Sequence, residues 1–248
     1  MIIIKSKREI DLMKKAGKVV AKVLEEIKKA IKPGIATVEL DRIAEDIIKK
    51  YNAIPAFKGY RGYPATICSS INEEVVHGIP GLRFLKDGDI ISIDVGAVVD
   101  GYCADAARTY PVGEISETAK KLIMVTENSF FEGIKYATPD YRLSDISHAI
   151  QSYVERHNFS VVRDYVGHGI GRKMHEEPQV PNFGPPGKGP RLREGMTLAI
   201  EPMVNVGGYE VETLIDGWTV VTKDRSLSAH YENTIAITDG EPEILTLG

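Results

Sequence analysis

Residues 90–110 run IISIDVGAVVDGYCADAARTY, two apolar stretches around a turn. Residues 90–99 and 102–110 alternate like strands, and Asp100-Gly101 between them is a strong two-residue hairpin signal. With that turn Val99 faces Tyr102, so Asp94 faces Ala107 and Asp105 faces Gly96. Asp94 and Asp105 then become diagonal neighbours on one face of the ribbon. Diagonal positions lie roughly 7–8 Å apart at the backbone and closer at the side chains. Carboxylates at that separation can hold two ions about 3.5–4 Å apart. An edge hairpin with ordinary aspartates facing solvent has the same pattern, and the hairpin alone leaves both readings open.

Three more polar residues sit in or beside apolar strand-like runs: His168 in DYVGHGIG, Glu201 in MTLAIEPMV and Glu232 in HYENTIAIT. Burying an unpaired carboxylate among Ile, Val and Ala is costly. Four such carboxylates with a glycine-flanked histidine predict a shared compensating charge, most simply a pair of metal ions. A surface glutamate at a strand edge and a hydrogen-bonded structural histidine are the bland alternatives. Glycines 167, 169 and 171 argue against a helix through GHGIGRKMH, so His168 and His175 are not the i, i+4 pair of a zinc helix. An oxygen-rich set of this kind favours Mn(II), Fe(II) or Co(II), with Zn(II) also able to bind.

Outward from the hairpin, Ser6 followed by Glu9 is a capping-box signature. It opens a helix with Ile10, Met13, Val20, Leu24, Ile27 and Ile31 on one face, stopped by Lys32-Pro33-Gly34. A second helix is predicted from about Thr37 to Tyr51, with further helices over about 117–137 and 144–157. Strand signals fill the stretch before about 112 and return from Val161. Two helices followed by strands thus occur twice. A shift of 106 lays Pro33 on Pro139, Leu40 on Ile146, Ile47 on Tyr153, Ile48 on Val154 and Asn52 on Asn158. The reading is an α+β fold of two pseudo-symmetric halves, about 1–112 and 113–248, forming one catalytic domain over 1–248. Its strands are expected in one mainly antiparallel sheet covered by helices on one face, with the site in the cleft between the halves.

The chain has 248 residues, 43% hydrophobic and 27% charged, with a net charge of −4. That balance and the interspersed lysines give no nucleic-acid motif. No signal peptide or membrane span is read, and Cys68 and Cys103 form no motif with each other, so a reducing cytoplasm is expected.

The segments EEVVHGIPG, IISIDVGAVVDGYCADAARTY, GHGIGRKMHEEPQV, LAIEPMV and YENTIAIT, in this order and spacing, resemble the type I methionine aminopeptidases, which have the pita-bread fold. The short interval from Glu201 to Glu232 resembles type I rather than type II, and the lack of a long N-terminal extension looks like the bacterial form. The resemblance implies a dinuclear hydrolase removing the initiator methionine from nascent polypeptides with a small second residue. Asp105 and Glu232 would bridge two ions, with Asp94 on one and His168 and Glu201 on the other. The ions would activate a water for attack, and Glu201 would carry its proton. His175 would stabilise the developing oxyanion, and His77 would assist the leaving amine. An apolar pocket would come from Phe57, Tyr60, Tyr63, Cys68, Met174 and Trp218, with bulk at Phe57 and Met174 exchanged relative to many relatives. Asn72 and Ser228 match positions of a monovalent cation. The resemblance also implies a cytoplasmic monomer acting near the ribosome exit region. An Xaa-Pro peptidase on the same fold and a non-catalytic binding module are the competing readings. Preference for Xaa-Pro peptides would favour the first and absence of divalent metal binding the second.

Overall fold

The computed structural model describes residues 1–247. Helix α1 spans Lys7–Ala30 and α2 Thr37–Lys50. Ser6 and Glu9 close the predicted capping box at the start of α1. Its apolar stripe faces inward: Met13, Val20, Val23 and Ile27 are fully buried. Each such side chain contributes roughly 1.5–3 kcal/mol. The strands that follow are β1 (Ile54–Pro55), β2 (Ile67–Ile71), β3 (Glu74–Val76), β4 (Ile90–Val99) and β5 (Tyr102–Pro111). Helices α3 (Glu117–Ile134) and α4 (Leu143–Arg156) come next. The chain then forms β6 (Ser160–Val161), β7 (Gly167–Gly169), β8 (Glu176–Val180), β9 (Thr197–Ile200) and β10 (Met203–Asn205). It finishes with β11 (Val211–Thr213), β12 (Val220–Thr222), β13 (Ser228–His230), β14 (Asn233–Ala236) and β15 (Glu243–Ile244).

The hairpin register is as predicted: Val99 pairs with Tyr102, Asp94 with Ala107 and Gly96 with Asp105. Asp100 and Gly101 both have positive φ, 51° and 78°, as a type I′ turn requires. The expectation of one continuous sheet needs correction. The strands divide into four antiparallel sheets, the largest being β15-β14-β9-β7-β8 and the group of β1, β2 and β5 around β4. These two meet where Ala107 and Glu232 exchange backbone hydrogen bonds of 3.3 and 2.9 Å. Flanking side chains replace the ladder there. The Thr234 hydroxyl bonds the N–H and C=O of Asp105 at 3.0 and 2.9 Å. The Thr109 hydroxyl bonds the N–H and C=O of His230, both at 2.9 Å. Threonine hydroxyls thus satisfy backbone groups of Asp105 in β5 and His230 in β13 at this junction.

The two stretches laid on each other by the shift of 106 share local details. Helices α2 and α4 start and end 106 residues apart, at Thr37 and Leu143 and at Lys50 and Arg156. Each has its N-terminal backbone N–H capped by an acid three residues on, Ala36 by Glu39 and Arg142 by Asp145. Asn52 and Asn158, just beyond them, share a left-handed backbone with φ of 55° and 63°. One core joins α1 and α2 to β2 and β4, and another joins α3 and α4 to the strands of the second half. A third apolar cluster, containing Phe57, Tyr63, Cys68 and Met174, lies between them.

Candidate active site

The β4–β5 register sets Asp94 and Asp105 on one face of the ribbon. Asp105 is 4% exposed and Asp94 Oδ1 is fully enclosed, so the solvent-facing alternative fails. His168 is the central residue of β7, while Glu201 directly follows β9 and Glu232 directly precedes β14. Pairing of β7 and β14 with β9 brings all three to the end of the sheet that meets the hairpin. His168 Nε2 lies 3.6 Å from Glu201 Oε1 and 4.0 Å from Asp105 Oδ2. Ligand atoms of Asp105, His168 and Glu232 all fall within 4.8 Å of one another.

This cluster has more acceptors than donors. Buried oxygens of Asp94, Asp105 and Glu232 have no hydrogen-bond partner. Burial pushes Asp94 up to about 7 and Glu201 up to about 8. It raises Asp105 and Glu232 well above the carboxylate range, with the neighbouring carboxylates adding to the effect. Burial depresses His168 to about 4, so this ring is neutral. The Gly169 carbonyl, 2.9 Å from His168 Nδ1, can only accept. Nδ1 therefore carries the proton and Nε2 presents a lone pair toward the carboxylates. Unpartnered carboxylate oxygens around an imidazole lone pair suit hard or borderline divalent cations, whose charge would return the acids to their ionised form.

A cavity of about 150 Å³ opens on the cluster, lined by every candidate catalytic, metal and pocket residue except Met174, and by Arg61. Met174 is buried behind this wall. A Cβ on Gly96 would come within 2.7 Å of its methyl carbon and 2.9 Å of Phe57, so the close approach there requires glycine. Tyr63 places its hydroxyl 3.0 Å from the carbonyls of Ile67 and Gly78 and its ring edge-on to Trp218. Trp218 is held at the mouth by the Asp216-Gly217 turn, where Asp216 accepts from the Trp218 and Thr219 N–H groups.

The accessory histidines face the cavity from two directions. His175 ends the loop after β7, its ring 4.3 Å from that of His168 and its Nδ1 2.9 Å from the Tyr60 hydroxyl. Burial, then Arg61, lowers its pKa. A hydroxyl donating to Nδ1 leaves Nε2–H as the free donor. His77 follows β3 with φ of 62°, a left-handed backbone uncommon outside glycine and asparagine. Its ring stands edge-on to Tyr165 and Trp218, and burial lowers it to about 4. Asn72 and Ser228 sit together away from this cavity: the Ser228 N–H donates to the Asn72 carbonyl at 2.9 Å.

Three neighbours escape the sequence reading. His230 is 1% exposed, with an unpartnered Nε2 that lies 3.6 Å from Glu201 Oε2. Its place two residues before Glu232 in an extended run was the available signal. Arg108 anchors the start of β14 by bonding the Glu232 carbonyl and, at 2.7 Å, the Asn233 side chain. No local pattern marks Arg108 or Arg61.

Residues 11–239 match the family described as metallopeptidase family M24. The chain is 63% identical over 248 residues to the methionine aminopeptidase of Clostridium acetobutylicum, covering 100% of this chain and 99% of that protein. It is 62% identical over 246 residues to methionine aminopeptidase 1 of Bacillus subtilis, covering 99% of each. The crystal structure of a methionine aminopeptidase from Thermotoga maritima superposes with a TM-score of 0.99 at 53% identity, over 100% of both chains. The pita-bread arrangement of helices and antiparallel strands is thus shared, and the chain belongs to metallopeptidase family M24 and, within it, to the methionine aminopeptidases.

Proposed function

We propose that Asp94, Asp105, His168, Glu201 and Glu232 hold the divalent metal of this enzyme, as two ions, and that His77 and His175 complete the machinery removing the initiator methionine. The observation that carries this reading is the enclosed group of carboxylate oxygens without donors beside the His168 lone pair. When bound, the ions would supply a water acidic enough to attack at neutral pH and a positive charge against the scissile carbonyl. Glu201 would accept the water proton and pass it toward the amine. His175 Nε2–H would donate to the carbonyl oxygen as it gains charge. His77 would contact the peptide near the scissile nitrogen. Tyr63, Trp218, Phe57, Tyr60 and Cys68 would enclose the methionine side chain, and Met174 would shape that pocket from behind. The substrate amino group would sit beside Asp94, which limits cleavage to one residue.

The metal is read as Co, Mn, Fe or Zn, the ligand set being rich in oxygen. A monovalent cation near Asn72 and Ser228 would bind through carbonyls, because the Asn72 side chain bonds Asp89 and Ile90, and the Ser228 hydroxyl bonds Asn205. Among the described residues no helix is long and apolar enough to cross a membrane. A cytoplasmic monomer working near the ribosome exit region completes the reading, as does one catalytic domain of two related halves, about 1–112 and 113–248. The test is release of methionine from Met-Ala and Met-Gly peptides after chelation and add-back of Mn(II), Co(II), Fe(II) or Zn(II). Release is expected to vanish on chelation and return with metal. Activity indifferent to chelation, or confined to Xaa-Pro peptides, would overturn the reading.

A further inference from the structure

The catalytic cavity, at about 150 Å³, is too small to enclose a whole polypeptide substrate. The rest of a polypeptide substrate must leave along the surface. A groove of about 670 Å³ adjoins the cavity and shares Arg61, His168 and His175 with it. Its floor runs over Gly167 and the outward side chains of β8, the edge strand of the five-stranded sheet.

The charge of this groove is unbalanced. Arg61, Arg172 and Lys173 line it and are exposed. Arg172 is held over the Tyr102 ring at 4.5 Å and Arg61 over Tyr60 at 5.4 Å, so both cations have fixed places. Two acids line it as well. Glu176 is taken up by a buried ion pair with Lys5 at 2.6 Å, the two side chains being 5% and 3% exposed. That leaves Glu177 as the one unpaired acid among the lining residues, against three cations. Three cations beside the exit from a catalytic cavity make a field that attracts carboxylates.

We propose that this groove receives the third and fourth residues of the polypeptide substrate and selects for acidic side chains there. The proposal rests on the peptidase reading above and adds a specificity beyond the first two residues. The experiment compares kcat/KM for Met-Ala-Asp-Asp-Gly and Met-Ala-Lys-Lys-Gly at low ionic strength, with Met-Ala amide as a substrate too short to enter the groove. The acidic peptide should exceed the basic one by about 3- to 10-fold. That ratio should shrink in about 0.5 M salt, where screening removes exposed-charge interactions. The double variant Arg172→Gln/Lys173→Gln should bring the ratio close to one, and Lys173→Glu should lower it further. Both side chains are exposed, so the variants should melt with the parent. A wild-type ratio near one, or a ratio that survives the double variant, would overturn the groove. Failure of the wild-type chain to release methionine from any of the three substrates would instead sink the peptidase reading.

Discussion

The β4–β5 hairpin and the β9/β14 pair are built on one frame and carry different chemistry. Each opens with a matching turn, Leu85-Lys86-Asp87-Gly88 and Leu192-Arg193-Glu194-Gly195, with left-handed glycines at φ 92° and 83°. In both, that glycine donates to the end of the second strand, Gly88 to Val112 at 2.9 Å and Gly195 to Ile237 at 3.0 Å. The same 107-residue offset that joins Leu85 to Leu192 joins Asp94 to Glu201. Beyond that point the halves part. Asp94 and Asp105 are 11 residues apart across a two-residue turn, while Glu201 and Glu232 are 31 apart with β10–β13 between them. Where the first half has Ala107 at the junction, the second has Glu232, and the imidazole clustered with Asp105 and Glu232, His168, also comes from the second half. The shared turns and offsets supply the frame, and departures from symmetry supply the cluster.

The comparison can be broken first at the acids. Glu201→Gln keeps the shape but removes the proposed proton acceptor, and should lower kcat for Met-Ala peptides by about a thousandfold or more. Its melting curve should stay close to the parent's. Activity within tenfold of wild type would assign the proton transfer elsewhere. Next comes His175, which only the second half contributes. Truncating it in His175→Ala should reduce kcat by about 10²-fold with a smaller change in KM, the signature of a donor used in the transition state. A pure KM effect would make it a substrate contact instead.

The threonine pair at the junction sharpens the comparison further. Thr234→Val and Thr109→Val each strip partners from a buried backbone N–H and C=O. Each should cost about 1–3 kcal/mol in denaturant unfolding. Thr234 holds Asp105, whereas Thr109 holds His230, so only Thr234→Val should also weaken Mn(II) binding by calorimetry. Equal losses of metal affinity would show that the two latches act alike.

The smallest effect is on pH-dependent stability without metal. Folding raises Asp94 to about 7 and Glu201 to about 8, so the folded state holds protons that the unfolded state has released. Stability from these acids is complete below their unfolded values and fades as pH rises through 7 and 8. The buried histidines have lowered values of about 4 and act oppositely, but only below about 6.5, where the unfolded rings titrate. In chelator, the melting temperature should therefore fall by a few degrees between about pH 6.5 and 8. Mn(II) should remove the trend by binding the ionised acids. A flat or rising profile without metal would mean that these carboxylates are not held protonated.

Legibility followed sequence distance. The hairpin, its register and the diagonal of Asp94 and Asp105 could be written down beforehand, because a two-residue turn leaves one pairing and a period of two fixes the face. Helix α1 was marked by its cap and apolar spacing and α2 by its apolar face, and the ends of all four helices differ from expectation by a few residues at most. Resemblance, not pattern, supplied the roles of His77 and His175. The division into four sheets, the threonine latches and the approach of His230 to Glu201 were invisible, since each joins residues far apart in the chain.

That acids would stand inside apolar strands followed from the residues alone, because alternation and turn chemistry are local. The meeting of Glu201 and Glu232 with Asp94 and Asp105 around His168, the three cations at the exit and the place of Met174 behind the wall came from packing. Those outcomes depend on how two packed halves abut, and packing is a property of the whole chain rather than of any window along it.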